Sequence, residues 1–201
     1  MTAPSSRGSV IPMIRRQDPA EDDGVVIARI AGANLAALGV LHDRHSEAVR
    51  RFVLRATNRG ADADDIVQET FLTLMRIAAT YDGRPSARAF LVGIAAQLVR
   101  QTARKKARWG NAITELGHTI ARAVSSTPEA KAMVTQELQN ADSVLNSLSE
   151  EKRMVFLMIE GEGLSGEEVA TALGIPAATV WTRLHYARID LRRTLAKRGI
   201  Q

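Results

Sequence analysis

The chain has 201 residues, of which 45% are hydrophobic, and a formal net charge of +5. This length and hydrophobic content allow one large or two small folded domains and exclude a chain that is disordered throughout. The absence of cysteine excludes a disulfide framework and a thiolate metal site, and the basic excess favours a polyanionic partner.

Residues 1–21 are predicted to form a flexible leader. They contain no continuous apolar run of the kind found in a secretory signal, and the apolar stretch 25–41 is interrupted by Arg29 and Asn34. We therefore expect a cytoplasmic protein with no direct membrane insertion. The aromatic content of 4% and the lack of β-branched alternation favour an all-helical fold.

Residues 22–108 are predicted to form a first helical module. Helical spacing of apolar residues indicates helices over 25–41, 42–58 and 86–108, and another helix that begins at the acidic residues after position 61. Acidic side chains are favoured at a helix start because they interact with the positive end of the helix dipole. The last helix ends in a basic block without an acid: Arg100, Arg104, Lys105, Lys106 and Arg108.

Residues 109–131 lose the helical pattern. Their glycines and the Ser-Ser-Thr-Pro run at 125–128 are typical of a flexible linker. The pattern then returns, and we assign residues 132–201 to a second helical module. The predicted fold is all-α, with two small helical domains joined by the linker.

The second module contains a predicted helix-turn-helix over residues 165–198. Ser165 and Glu168 match a capping box, which satisfies amide donors at a helix start. Gly174 lies where this helix must stop and reverse, and Pro176 suits the first turn of the next helix. A short helix, a glycine turn and a longer helix with a polar outer face suit insertion into a DNA major groove. A helical hairpin with a solvated basic face is the alternative.

Two motifs in the expected order resemble the extracytoplasmic-function (ECF) group of the bacterial sigma-70 family. They are DADDIVQETFLTLMR at 62–76 and LSEEKRMVFLMIEGEGLSGEEVATALGIPAATVWTRLHYARIDLRR at 148–193. The resemblance spans about residues 22–197. It implies a non-enzymatic factor with sigma regions 2 and 4 that directs core RNA polymerase to promoters by −10 strand capture and −35 duplex recognition. It also implies an anti-sigma factor as a partner.

The resemblance assigns the helix that follows the acidic cluster to docking on the clamp helices of the largest polymerase subunit. Carboxylates and an amide on its outer face suit a basic partner, whereas a solvated acidic helix start is the alternative. The residues implied are Asp64, Asp65, Gln68 and Glu69.

The loop and helix over 82–108 correspond by resemblance to the part that opens and reads the −10 element. An extruded base and the phosphates of a single strand require a pocket and cations. Phe90, Gln97 and Gln101 stand where the family usually has Trp, Asn and Asp, which leaves the base preference open. The residues placed at this element are Arg84, Ser86, Arg88, Phe90, Gln97, Arg100, Arg104 and Lys105.

The helix after Pro176 corresponds by resemblance to −35 recognition. A bidentate contact between Arg183 and guanine provides roughly 1–3 kcal/mol of discrimination. Trp181 and Tyr186 replace residues that are often basic in the family; they either pack on thymine methyls or sugars, or cover the preceding helix. The residues placed here are Thr179, Trp181, Thr182, Arg183, His185, Tyr186 and Arg188.

Two rival functions follow from other features of the sequence. His42 with His45, and Glu115 with His118, have the spacing of side chains on one helix face, but a di-iron bundle needs the Glu-x-x-His element twice. We therefore predict no metal, cofactor or catalytic residue. The stronger alternative is a helix-turn-helix regulator whose first module binds an effector or partner, and such a regulator would bind duplex operator without polymerase.

Overall fold

The computed structural model describes residues 21–58, 60, 62–83, 85–116 and 143–198. This part of the chain is helical and contains no strand, which confirms the predicted all-α class. Its main helices are α1 (Asp23–Ala31), α2 (Leu35–Ala56), α3 (Ala63–Ile77), α4 (Ala87–Leu116), α5 (Glu150–Phe156), α6 (Gly166–Leu173) and α7 (Ala177–Lys197). Helices α1 to α4 form the first module, and α5 to α7 form the second.

The break between α1 and α2 lies at residues 32–34, whereas the sequence pattern places it at 41–42. Ala33 adopts a positive φ of 63°, which reverses the chain. The Asn34 side chain then accepts a hydrogen bond of 3.1 Å from the Ala37 N–H and caps the start of α2. Because this cap fixes the helix start, α2 runs without interruption through the predicted break.

Helix α4 begins and ends later than predicted. The Ser86 hydroxyl accepts a 3.3 Å hydrogen bond from the Ala89 N–H at the helix start, so the residue expected to open the helix lies just before it. The helix continues past Arg108 to Leu116, into the segment assigned to the linker. The predicted leader up to residue 20, the rest of the linker and the predicted start of the second module lie outside the described residues.

The helix-turn-helix forms as predicted. The Ser165 hydroxyl accepts from the Glu168 N–H at 3.2 Å, and the Glu168 carboxylate accepts from the Ser165 N–H at 2.9 Å. Gly174 has a left-handed φ of 64° and ends α6, and α7 starts directly after Pro176. The buried stripe of α7 comprises Val180, Leu184, Ala187 and Leu191.

A π-helical turn over Leu157–Gly161 follows α5. The Glu162 N–H donates to the Leu157 carbonyl, five residues earlier, at 3.0 Å, and Gly163 then takes a positive φ of 67°. Such wide turns are rare and are frequent at functional sites. Here the turn places the Glu162 side chain against the first module.

The two modules pack against each other through one continuous hydrophobic core. It includes Phe52 and Leu91 from the first module and Met158 and Val169 from the second. Helices α4 and α6 approach each other closely, because a Cβ added to Gly93 would lie 2.9 Å from the Ala172 Cβ. The sequence predicts two modules, but nothing in it predicts this packing.

Replacing Gly174 with alanine is expected to lower the free energy of unfolding by about 1–2 kcal/mol. Nothing lies within 4 Å of the added Cβ, so the loss comes from the left-handed backbone alone. Gly39→Ala is the matched control, because Gly39 is exposed in the second turn of α2 with open space around it. It is expected to raise stability by about 0.5–1 kcal/mol. Urea unfolding followed by circular dichroism measures both, and an equal loss in the two variants would contradict the assignment.

Candidate nucleic-acid interface

The outer face of α3 presents the four residues predicted to bind polymerase. We call this set the acidic face: Asp64, Asp65, Gln68 and Glu69. Asp64 accepts a hydrogen bond from Arg50 at 2.7 Å, and Glu69 accepts one from Arg76 at 2.7 Å. These pairs hold two carboxylates in place while Asp65 and Gln68 remain exposed. The acidic face is therefore accessible while the two modules are packed together.

Leu72 extends the acidic face with an apolar side chain and is absent from the predicted set. It is 52% exposed and lies one helical turn beyond Gln68 and Glu69. In the sequence it follows Phe71, which is buried, so the pair resembles part of a core stripe. Leu72 lies seven residues, or about two helical turns, after Asp65, and this spacing places Leu72 on the outer face instead.

Five of the eight residues predicted at the −10 element either fall outside the described residues or make no hydrogen bond or ion pair with the second module within them. Phe90 packs its ring against Tyr81, with the ring centroids 5.1 Å apart. Arg84 lies outside the described residues. Three others are exposed on α4: Gln97, Arg104 and Lys105.

Three further residues predicted at the −10 element contact acids of the second module: Ser86, Arg88 and Arg100. The Ser86 hydroxyl donates to the Glu168 carboxylate. Arg88 Nη2 donates to Glu162 Oε2 at 2.8 Å, and Arg100 Nε lies 3.5 Å from Glu150 Oε1. The surface expected to meet DNA is thus partly occupied by the chain itself.

Glu162 is the most buried acid of this contact, with a side chain that is 1% exposed. Besides Arg88, it binds Arg51 of α2, whose Nε and Nη2 donate at 3.2 and 2.7 Å to the two carboxylate oxygens. The hydrogen bond to Glu162 raises the pKa of the Arg51 guanidinium, which therefore stays charged. Two guanidinium groups compensate the cost of burying this carboxylate. Arg51 is absent from the predicted set, because nothing local in the sequence relates it to residue 162.

Glu168 combines two roles, since it closes the capping box of α6 and accepts from Ser86 of the other module. Burial acts to raise the pKa of Glu168, but the hydrogen bonds from Ser86 and Ser165 outweigh it and hold the pKa below its usual value. The carboxylate therefore keeps its charge to a lower pH than an ordinary glutamate does.

All seven residues predicted for −35 recognition lie on α7, and most of them are exposed. Thr182, His185 and Tyr186 are exposed on the side opposite the buried stripe, while Thr179 and Arg183 are partly buried at its edge. The exposed Arg188 donates from Nε to Glu160 at 3.1 Å. On its buried side, α7 packs on α5 and α6 of its own module.

The two aromatic residues on α7 are both anchored and accessible. The Trp181 ring lies over Gly166, where an added Cβ would approach Cζ2 to 2.5 Å, yet Trp181 is 55% exposed. Tyr186 is 52% exposed, with Lys152 Nζ 5.6 Å from its ring centroid. For Trp181 the structure supports both alternatives left open by the sequence, because one edge covers α6 and the rest faces solvent.

The histidines considered as metal ligands have other partners. His42 packs on Phe71, with ring centroids 4.7 Å apart, and His45 Nε2 lies 2.6 Å from Asp23 Oδ2. His118 lies outside the described residues. Across residues 21–116 and 143–198, as far as they are described, no three His, Asp or Glu side chains are grouped to hold a metal ion. Nor is any helix in this part of the chain long and apolar enough to cross a membrane.

Comparison with known families and structures gives consistent matches. Residues 41–109 match the model of Sigma-70 region 2, and residues 138–191 match that of Sigma-70, region 4. The ECF RNA polymerase sigma factor SigL of Mycobacterium tuberculosis is 34% identical over 178 residues, which cover 87% of this chain and 99% of SigL. The ECF RNA polymerase sigma-E factor of Salmonella typhimurium is 30% identical over 174 residues, covering 83% and 90%.

A similar solved structure is that of CnrH in complex with the cytosolic domain of CnrY. It has a TM-score of 0.65 and 26% identity, and the match covers 87% of this chain and 97% of the other. The likeness therefore extends over both modules.

The variant Ser86→Ala is expected to raise the pKa of Glu168, because it removes a hydrogen bond that stabilises the carboxylate. A pKa held below that of the unfolded chain stabilises the fold above the unfolded value, and this contribution disappears as the pH falls through the folded value. The variant should therefore lose less stability on acidification than the wild type. Carboxyl-carbon NMR titration measures the pKa directly. Ser147→Ala is the control, since Ser147 bonds Val144 and Thr194 instead, and an equal rise in both variants would contradict the contact.

Proposed function

This chain belongs to the extracytoplasmic-function group of the bacterial sigma-70 family, and we propose that its two modules divide promoter recognition between them. As an ECF sigma factor it directs core RNA polymerase to promoters and initiates transcription. The observation that carries this conclusion is the presence of regions 2 and 4 in order on one chain, with a relative aligned over 99% of its length. A regulator with an unrelated effector domain is not favoured, because the first module matches region 2.

The acidic face of α3 is the proposed docking surface for core polymerase. Its exposed carboxylates suit a basic partner, and Leu72 supplies apolar area that would be buried on contact. The pairs of Asp64 with Arg50 and Glu69 with Arg76 hold two carboxylates in place before the partner arrives. Preorganisation of this kind lowers the entropy cost of association.

The −10 strand is proposed to bind along α4. Arg104 and Lys105 are exposed cations suited to phosphates, and Gln97 offers an amide to a base edge. Arg88, Arg100 and Ser86 join this surface once they separate from the second module. Arg84 and Phe90 complete the proposed set.

The exposed face of α7 is proposed to read the −35 duplex. Thr182, His185 and Tyr186 are central, flanked by Trp181 and Arg183, and a helix presenting such side chains fits the major groove. Because Gly166 receives the Trp181 ring, the angle between α6 and α7 is fixed by packing. Thr179 and Arg188 are proposed to contact the same duplex at its margins.

Partners and location follow from this role. The solved structure of CnrH holds the cytosolic domain of CnrY, and an anti-sigma factor is the corresponding partner proposed here. Since template and polymerase lie in the bacterial cytoplasm, we place the chain there, without cofactor, metal or catalytic residue.

Transcription from a promoter mapped after overproduction of the chain tests the function, using purified core enzyme. Absence of a promoter-specific start would overturn it.

Within this transcription assay, Arg183→Ala is expected to weaken initiation at the intact −35 element by roughly 5- to 150-fold, equivalent to about 1–3 kcal/mol. Initiation at a promoter with a scrambled −35 element should change little. Lys197→Ala, which removes one charge at the end of α7, is the control, and equal losses in both variants would contradict base recognition by Arg183.

Replacement of Asp65 and Glu69 together by lysine is expected to reduce core-polymerase affinity by about tenfold or more, since like charges then face a basic surface. The matched control is Asp43→Lys with Glu47→Lys, which makes the same charge change at the same spacing on the exposed side of α2. Fluorescence anisotropy with labelled chain and core enzyme measures the affinities. Retained binding in the α3 variant would place the docking surface elsewhere.

A further inference from the structure

The contact between the modules has a definite charge pattern. Acidic residues of the second module meet cationic or hydrogen-bonding residues of the first at three points: Glu150 with Arg100, Glu162 with Arg51 and Arg88, and Glu168 with Ser86. Three of the first-module residues also belong to the proposed −10 surface. The second module therefore presents to this surface what a DNA strand would present, namely a series of oxyanions.

The chemistry at Glu162 matches that of a phosphodiester. A carboxylate and a phosphate each offer two terminal oxygens that accept parallel hydrogen bonds from guanidinium groups. Arg51 contacts both oxygens of Glu162, and Arg88 contacts one of them. These two arginines thus form an oxyanion site that one ligand fills at a time.

Packing around this site leaves no room for a strand. Next to it, α4 and α6 approach until a Cβ on Gly93 would clash with Ala172, at 2.9 Å from its Cβ and 3.0 Å from its carbonyl oxygen. Glu162 itself is almost fully buried. A nucleic acid therefore reaches Arg88 only if the second module moves away.

The closed arrangement is also suited to opening. Arg51 and Arg88 keep 36% and 38% of their side chains exposed, so both guanidinium groups remain partly hydrated while the modules are closed. The buried Nε of Arg88 has no hydrogen-bond partner within the described structure while the modules are closed. An unmet buried donor is unfavourable, and exchange of Glu162 for another oxyanion offers a way to satisfy it.

We propose that Glu162 is an internal competitor of the −10 strand. Glu162 occupies the oxyanion site of Arg51 and Arg88 and keeps the free chain closed to single-stranded DNA. This inference rests on the proposed function, since it identifies the competing ligand as the −10 strand. Binding of that strand and binding of the second module are then mutually exclusive at Arg88, and each weakens the other by the same factor.

Two variants open the contact by different means. Glu162→Gln removes the charge that holds the arginines. Gly93→Leu leaves every charge in place and forces α4 away from α6. Their controls are Glu167→Gln, an exposed acid on α6, and Gly39→Leu, an exposed glycine in α2 with open space around it.

The full-length chain is tested without polymerase. Because it contains no cysteine, single cysteines introduced at Asp43 and Lys197 carry a dye pair that reports the distance between modules. Anisotropy of a short fluorescein-labelled single-stranded oligonucleotide with the −10 sequence of a mapped promoter gives the DNA affinity. Both opening variants are expected to lower energy transfer and to raise the oligonucleotide affinity by about tenfold, and both controls should match the wild type. Adding Arg88→Gln to Gly93→Leu should cancel the gain.

The outcomes distinguish a failure of this proposal from a failure of the proposed function. If both variants open the chain but the oligonucleotide affinity stays at the wild-type level, Glu162 does not compete with DNA and the proposal is wrong. High energy transfer in both variants, or a gain that survives Arg88→Gln, would overturn it as well. Failure of the wild-type chain to initiate with core polymerase would instead reject the proposed function. Since Gly93→Leu retains Glu162 and both arginines, a folding defect of one variant does not leave the question undecided.

Discussion

A carboxylate removed from water must be matched by positive charge, and Glu162 is matched by two arginines from the other half of the chain. Two features of the fold allow Glu162 to meet these arginines. The π-helical turn brings residue 162 to the module contact, and Gly93 allows α4 and α6 to approach closely enough to enclose it. The buried residues of the two modules then join into one core.

The closed arrangement affects the three proposed interaction surfaces differently. The acidic face of α3 and the outer face of α7 are exposed, whereas part of the −10 surface is covered by acids of the second module. With the surfaces assigned as proposed, polymerase and the −35 duplex have access before the −10 strand does. This order is useful for an initiation factor, because single-stranded DNA is available only after the enzyme has engaged the promoter. A factor with a covered −10 surface avoids unproductive binding to other single strands.

What the sequence predicts correctly is local. The capping box at Ser165 and Glu168, the left-handed Gly174 and the buried stripe of α7 depend on residues within a few positions of each other, so spacing reveals them. The sequence pattern places the break before α2 too late, because the apolar residues continue across the true break and the Asn34 cap outweighs that pattern.

The features that the sequence does not predict are tertiary contacts. Arg51 and Glu162 are 111 positions apart, and no periodicity connects them. Whether Trp181 covers α6 or faces outward depends on Gly166, whose missing side chain makes room for the ring. The family resemblance predicts the two modules, but it relates each module to DNA and polymerase rather than to the other module. The contact between the two modules therefore depends on the folded structure and cannot be predicted from the sequence.

The charge balance at the oxyanion site explains why closure and DNA binding can be in competition at all. Arg51 and Arg88 carry two positive charges against one on Glu162, so the site retains an excess positive charge while it is closed and continues to attract DNA. Exchange of the carboxylate for a phosphate leaves the number of charges at the arginines unchanged, and the free Glu162 regains its hydration. Opening also exposes apolar surface of the core that the two modules share, and contributions from polymerase docking and from −35 contacts oppose that cost. A purely apolar contact between the modules would lack this property, because no DNA group could replace it.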